Sequence, residues 1–325
     1  MTKTEAREKV AEFVNPVNVQ EIPPSDKVTI CDFVGEVFLP FYQRKWKNST
    51  ASTNEERIRY HILSELGSRT IGSFNREELQ GVLDLKASKG LSHSVVNHLR
   101  WDLRQIFELA TAEGFIRRNP ATLLFVPKGA KQPTRRIMNW EEVKKLLLLF
   151  ELRERLIIKL GVLTGMRPGE IFGLKWKYLR GDHLQVRQRV YRGEVDAPKT
   201  GHSVREVALS TGLLQEITEW KEVCGETRPE GWVFPSETLG TPLRKDNVWR
   251  RNIAPKLRTA NLHWVNFQVM RRTHSSLLSD LKIDPKVVAD QLGHTLDVNQ
   301  NIYTKTGMER RKQAVDCLEL KLGNL

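Results

Sequence analysis

The chain has only three cysteines, Cys31, Cys224 and Cys317, and they lie far apart. With no CxxC pair and no even-numbered framework, they read as reduced structural thiols of a cytosolic protein, which excludes a disulfide scaffold. Long apolar runs are equally scarce. The start, MTKTEAREKVAEF, carries no apolar signal-like core, and LLLLF at 146–150 is far too short to span a bilayer, so no membrane partner is expected. Nucleotide and metal signatures are missing too: there is no GxxxxGK[ST], no HExxH and no Cys/His set at zinc spacing. Glu194, Asp196 and Lys199 in GEVDAPK loosely suggest a metal-dependent nuclease, but the carboxylate–x–lysine spacing is wrong. The expectation is chemistry with no cofactor, neither metal nor ATP.

Acidic residues are in the minority. Lys and Arg total 52 against 39 Asp and Glu, a formal net charge of +13. Such an excess suits a polyanionic partner, most simply double-stranded DNA, whose phosphates reward clustered cations through counterion release.

At 325 residues the chain is long enough for two domains with their own cores. Residues 1–25 are polar, end near IPPS and read as a flexible lead-in. Residues 26–127 form a helical block. Its clearest helix is SHSVVNHLRWDLRQIFELATAEG, where Val95, Val96, Leu99, Leu103, Ile106, Phe107 and Ala110 recur on one face, Ser92 or Ser94 caps the start and Gly114 the end. Asn97, His98, Arg100 and Arg104 lie on the other side, either as a solvated face or as a basic face for a major groove. A Pro/Lys/Arg-rich linker follows at 128–134. From 135 to 325 the pattern is helices, then two alternating segments, DHLQVRQRVYRG and SVREVALS, flanking the turn-rich DAPKTGH, then helices to the end. The fold class is mainly α with a small antiparallel β-sheet (α+β).

Four stretches carry residues suited to chemistry. In LTGMRPGEIFGLKW, Arg167 precedes Pro168 at a helix start with Glu170 in the first turn, either as a surface residue or as a planar fork for a phosphate. In APKTGHSVREV, Lys199 sits at a hairpin tip, as a solubilising turn lysine or as a mobile ammonium donating a proton to a leaving oxygen. In NFQVMRRTHSSLL, Arg271 and Arg272 interrupt an apolar helix. One of them must lie near the core, at a cost of several kcal/mol unless it is paired, and an anionic ligand is a natural partner. In DPKVVADQLGH, Asp284 caps a helix, Pro285 takes its first position, and Gly293 closes it just before His294. Nine residues later comes Tyr303, in a polar passage with no obvious core to fill.

Taken in order, TGMRPGE, PKTG, RRTH and LGH followed by that tyrosine resemble the tyrosine recombinase (phage integrase) family. The resemblance runs from about residue 26 to the end. It implies a core-binding (SAM-like) helical DNA-binding domain over 26–127 and a catalytic domain over 135–325 with a C-terminal tail helix. It also implies a 3′-phosphotyrosine intermediate and a free 5′ hydroxyl. Tyr303 is then the nucleophile, Arg167 and Arg271 clamp the scissile phosphate, His294 and Gln268 hydrogen-bond it, Lys199 protonates the leaving oxygen, and Glu170 braces Arg167. Arg135, Arg136 and Arg272 join the helix-face residues as DNA contacts. The family usually has His-x-x-Arg in the third box, whereas here Gln268 stands three residues before Arg271. Glutamine can donate a hydrogen bond but cannot shuttle a proton, and His274 or His263 are the nearby substitutes. A homotetramer on DNA, monomeric or weakly associated without it, is expected in a bacterial cytoplasm or nucleoid. No separate arm-binding domain is read ahead of residue 26, which keeps in view both a chromosome-dimer resolvase and the loss of such a domain from the sequence. A catalytically silent DNA-binding protein on the same fold is the other alternative.

Overall fold

Asn75 and Asn139 open helices by the same device. Each side chain accepts the N–H of a glutamate three residues on, Glu78 at 3.0 Å and Glu142 at 2.8 Å, and each glutamate reaches back to the asparagine N–H at 3.0 Å. Two of the orphan donors of a helix start are thereby satisfied reciprocally. The two helices belong to different units. The computed structural model, which describes residues 27–197, 204–238 and 240–298 with Lys312, Val315 and Asp316, divides between Thr134 and Arg135. The architecture is mainly α with small antiparallel sheets, as the sequence implies. No helix among the described residues is long and apolar enough to cross a membrane.

In the N-terminal unit, α1 (30–43) and α2 (48–66) each contain one π-helical stretch, and α3 (Arg76–Ser88) and α4 (His93–Ala112) follow. On α4 the expected stripe is inward: Val96, Leu99, Leu103, Ile106, Phe107 and Ala110 are buried, each large side chain worth about 1.5–3 kcal/mol of gross transfer energy. Ser92 Oγ caps the start by accepting the Val95 N–H at 3.4 Å. The stripe also holds a charge that periodicity hides. Asp102 is buried, and Arg57 of α2 donates to both its oxygens at 2.6 and 2.7 Å. Burial nevertheless outweighs the guanidinium and raises the Asp102 pKa. Part of the expected linker at 128–134 packs on the N-terminal unit. Ala130 is buried in the first core, and Lys131 O accepts the His93 N–H at 2.9 Å, so that end of the segment is tied to α4.

In the C-terminal unit, α5 (Trp140–Leu148), α6 (Leu152–Leu163) and α7 (Pro168–Phe172) precede the sheets. The alternating run DHLQVRQRVYRG is not one strand. β1 (Leu179–Arg180), β2 (His183–Val186) and β5 (Arg205–Ala208) form one antiparallel sheet, with His183 opposite Ala208 and Val186 opposite Arg205. β3 (Arg189–Tyr191) instead pairs with β4 (Glu194–Asp196). The break falls at Gln188, whose side chain leaves the ladder to donate to Gly173 O at 2.8 Å. Alternation cannot reveal such a break, because both pieces keep the same period. Arg192 and Gly193 (φ 51° and 91°) form the tight turn between β3 and β4. The hairpin tip expected at Lys199 lies outside the described residues, as do residues 1–25, Tyr303 and nearly all of the tail helix. After α8 (Thr211–Val223) come α9 (245–259), α10 (Phe267–Asp280) and α11 (Pro285–Leu292). Leu156, Ile157, Leu160, Val269 and Met270 are among the buried side chains where α6 and α10 contribute to the second core.

Candidate active site

Three chain segments, at the start of α7, on α10 and at the end of α11, bring together Arg167, Arg271 and His294 of the predicted set. Pro168 takes the first position of α7 and Arg167 the cap, in extended conformation. Proline suits that place because its φ is already helical and its missing N–H is not needed. Glu170 turns back: its Oε2 accepts the Arg167 N–H at 3.0 Å and its Oε1 accepts Arg167 Nη1 at 2.8 Å. The glutamate is buried at 4 % exposure, whereas 34 % of the Arg167 side chain remains exposed. Arg167 is thus held from behind with one side toward solvent.

Arg271 is the arginine of the pair that points inward, at 1 % exposure. The sequence suggests an anion as its partner; the structure supplies protein groups. Nη1 donates to Gly165 O, and Nη2 donates to Leu292 O at 2.6 Å and meets His294 Nε2 at 2.6 Å. Gly165 lies at φ +65°, and a Cβ there would collide with Leu292 and sit 2.8 Å from His274 Cδ2. Only glycine fits both the conformation and the space.

His294 follows Gly293, which ends α11 in the left-handed conformation (φ 66°). Because an arginine is always protonated, Nε2 must accept from Arg271, and the neutral ring carries its proton on Nδ1. Burial, then the charges of Arg271, Arg167 and Arg205, push the His294 pKa down to about 3. Here Nε2 serves Arg271, and a phosphate contact through that atom would need the other tautomer. Gln268 is exposed on the first turn of α10, one turn before Arg271. Of its nearby substitutes, His263 is exposed ahead of the helix. His274 is a core residue whose Nδ1 donates to Val162 O at 3.0 Å, so it is committed to packing. Lys199 and Tyr303 fall outside the described residues.

The buried His274 makes stability pH-dependent. Burial lowers its pKa to about 4, whereas an unfolded histidine titrates near 6.5. Stability is therefore full above about pH 6.5 and is lost as pH falls toward 4. Between pH 7 and 5 this residue alone is expected to remove about 2 kcal/mol. Urea unfolding at the two pH values checks it: His274→Asn should flatten the slope, and an unchanged slope would refute the assignment.

The predicted DNA-facing residues have partners of their own. Arg100 donates to Asn97 Oδ1 at 3.2 Å and to Leu124 O at 3.3 Å, and both Arg100 and Arg104 lie over the ring of Trp101. His98 is exposed beside them. Arg136 bonds Glu142 at 3.2 Å and stacks 3.5 Å from the Trp264 ring centroid. Arg135 is exposed and Arg272 half-buried.

Sequence reading missed Arg205 and Gln291. Arg205 Nη2 and Nη1 donate to Glu170 Oε2 and Oε1 at 2.9 and 3.3 Å, and its Nε donates to Gln291 O at 2.8 Å. The signal was the two-residue period: Arg205 shares a face with Val207, which is wholly buried. Burial tends to raise the Glu170 pKa, but Arg205 and Arg167 outweigh it and hold the carboxyl below its ordinary range. Beside this pair lies a cleft of about 740 Å³, lined by residues of β5 and α11 among others, including Arg205, Gln291 and His294.

Comparison with known proteins points to one family. The profile of the phage integrase family matches residues 130–310, more than half of the chain. A tyrosine recombinase XerC-like protein of Caldanaerobacter subterraneus subsp. tengcongensis is 24 % identical over 98 % of this chain and 89 % of its own. The ICEBs1 integrase of Bacillus subtilis is 28 % identical over 80 % of this chain and 76 % of its own. Among solved structures, the Tn1549 transposon integrase in complex with a circular intermediate DNA superposes with a TM-score of 0.74 at 18 % identity, covering 89 % of this chain and 99 % of that one. A lambda integrase tetramer bound to a Holliday junction gives 0.65 at 20 %, covering 90 % and 88 %. The chain belongs to the phage integrase family and is a tyrosine recombinase.

Proposed function

We propose that the protein is a site-specific recombinase that cuts and rejoins double-stranded DNA through a covalent 3′-phosphotyrosine, without metal or ATP, in a bacterial cytoplasm or nucleoid. Tyr303 Oη attacks the scissile phosphorus. As the new O–P bond forms, the bond to O5′ breaks, the phenol passes its proton to solvent water, and Lys199 protonates the departing oxygen. The phosphoester energy stays in the protein–DNA bond, so a 5′ hydroxyl from another strand can reverse the step. Arg167 and Arg271 hold the two non-bridging oxygens, which their planar forks suit. Gln268 and His294 add neutral hydrogen bonds; for His294 Nε2 to donate, Arg271 must turn from it to the phosphate and the ring must change tautomer.

The observation that carries this reading is the charge balance of the cluster. Among the described residues, Arg167, Arg205 and Arg271 lie with the carboxylate of Glu170 and a neutral His294, and these five groups sum to two positive charges. Such a preorganised excess stabilises the charge that builds on a phosphorane. Asn97, His98, Arg100, Arg104, Arg135, Arg136 and Arg272 are proposed to contact the duplex, and the active species to be a homotetramer assembled on DNA.

The test uses nicked suicide duplexes tiled from the DNA flanking the gene, incubated with the protein in EDTA. An SDS-resistant protein–DNA adduct is expected. Binding without an adduct would identify a silent DNA-binding protein, and cleavage that EDTA abolishes would identify a metal-dependent nuclease; either overturns the reading.

A further inference from the structure

Arg205 is placed differently from the two arginines of the clamp. Its two Nη atoms are bound to a buried carboxylate, whereas Arg167 keeps 34 % of its side chain exposed and the buried Arg271 meets carbonyls and a neutral histidine. The donors of Arg205 instead join two parts of the site that are remote in sequence. Two nitrogens grip both oxygens of Glu170, the carboxylate that also holds Arg167. The third donates to Gln291 O, a carbonyl at the end of the helix that presents His294. The next carbonyl along, Leu292 O, is taken by Arg271. The last turn of α11 thus has carbonyls satisfied by two arginines, where cations also complement the helix dipole. Gln291 adds a second fastening to the same strand. Its side-chain amide donates to Ala208 O at 3.1 Å and accepts the Ala208 N–H at 3.1 Å, occupying the edge of β5 as a neighbouring strand would.

The charge arithmetic gives Arg205 a second role. Were it absent, the buried Glu170 would face Arg167 alone, and the pair would be neutral. With Arg205 present, the three residues carry a net positive charge, and that charge is presented by the exposed member, Arg167. We propose that Arg205 is a positioning residue for strand cleavage: it neutralises Glu170 so that the charge of Arg167 is available to the scissile phosphate, and it anchors the helix end that carries His294. This rests on the recombinase reading above.

The experiment compares wild type with Arg205→Gln on the suicide duplex, and on the same duplex with a neutral methylphosphonate at the scissile position. Wild type forming no adduct on the phosphodiester would count against the recombinase reading itself. Given that adduct, Arg205→Gln is expected to form it about 100-fold more slowly with duplex affinity changed less than about threefold. On the methylphosphonate, which needs less positive charge, the gap to wild type should shrink at least about tenfold, by the same electrostatic reasoning. An equal gap on both substrates, or no gap on either, overturns the proposal, because a role in folding alone does not depend on substrate charge. Should Arg205→Gln melt below the assay temperature, Arg205→Gln/Glu170→Gln serves instead. It removes the buried carboxylate together with its partner, leaves Arg167 charged, and is expected to act within about tenfold of wild type on the phosphodiester. A folded double variant that remains about 100-fold slow would equally overturn it.

Discussion

Arg271→Lys is expected to slow adduct formation about 10³-fold and to lower unfolding stability by about 3 kcal/mol. Both effects follow from geometry rather than charge, which lysine preserves. The guanidinium reaches Gly165 O, Leu292 O and His294 Nε2 from two nitrogens, with its whole side chain buried. An ammonium is a single donor atom and cannot span those three acceptors, so buried carbonyls lose their partners. The two losses separate by measurement. Adduct kinetics at a temperature where circular dichroism shows the variant fully folded isolate the chemical defect, and urea unfolding gives the stability. A lysine variant with near-normal kinetics would mean that a point charge suffices and that the fork plays no part in the reaction.

Tyr303→Phe should abolish the adduct outright while leaving affinity for the duplex within about twofold, since the lost hydroxyl is needed for the chemical step and phosphate contacts set most of the binding. A phenol near pKa 10 is a poor nucleophile at neutral pH, and the net positive cluster of Arg167, Arg205 and Arg271 is the proposed means of favouring its anion. The chain has four other tyrosines, Tyr42, Tyr60, Tyr178 and Tyr191. The first two belong to the N-terminal unit, and Tyr191 closes the strand before the Arg192–Gly193 turn. Peptide mapping of the wild-type adduct is expected to find the modification on Tyr303. Persistence of the adduct in Tyr303→Phe would send the search to Tyr191 and Tyr178 and unseat the proposed nucleophile.

Features governed by local rules could be read from the chain. The α4 stripe, the Ser92 cap, Pro168 at the start of α7 and the Gly293 stop follow from backbone preferences and one-face periodicity, and each is present. What the sequence concealed depends on partners remote along the chain. Asp102 is inward because Arg57 meets it, and Arg205 because Glu170 does. A buried ion pair looks, one residue at a time, like two surface charges. The neutral state and tautomer of His294 are set by an arginine on another helix, so spacing could suggest the ring but not which nitrogen holds the proton. The split between β2 and β3 turns on a single glutamine bond to Gly173, beyond any pattern of alternation.

The carbonyls that orient Arg271 come from residues 106 positions before it and 21 after it. A nascent polypeptide halted before Leu292 would therefore hold the arginine with Gly165 O alone, without the acceptors at the end of α11 that complete its aim. The aim of Arg271 is therefore completed only once residues 292–294 have joined the fold, however early the arginine itself is made.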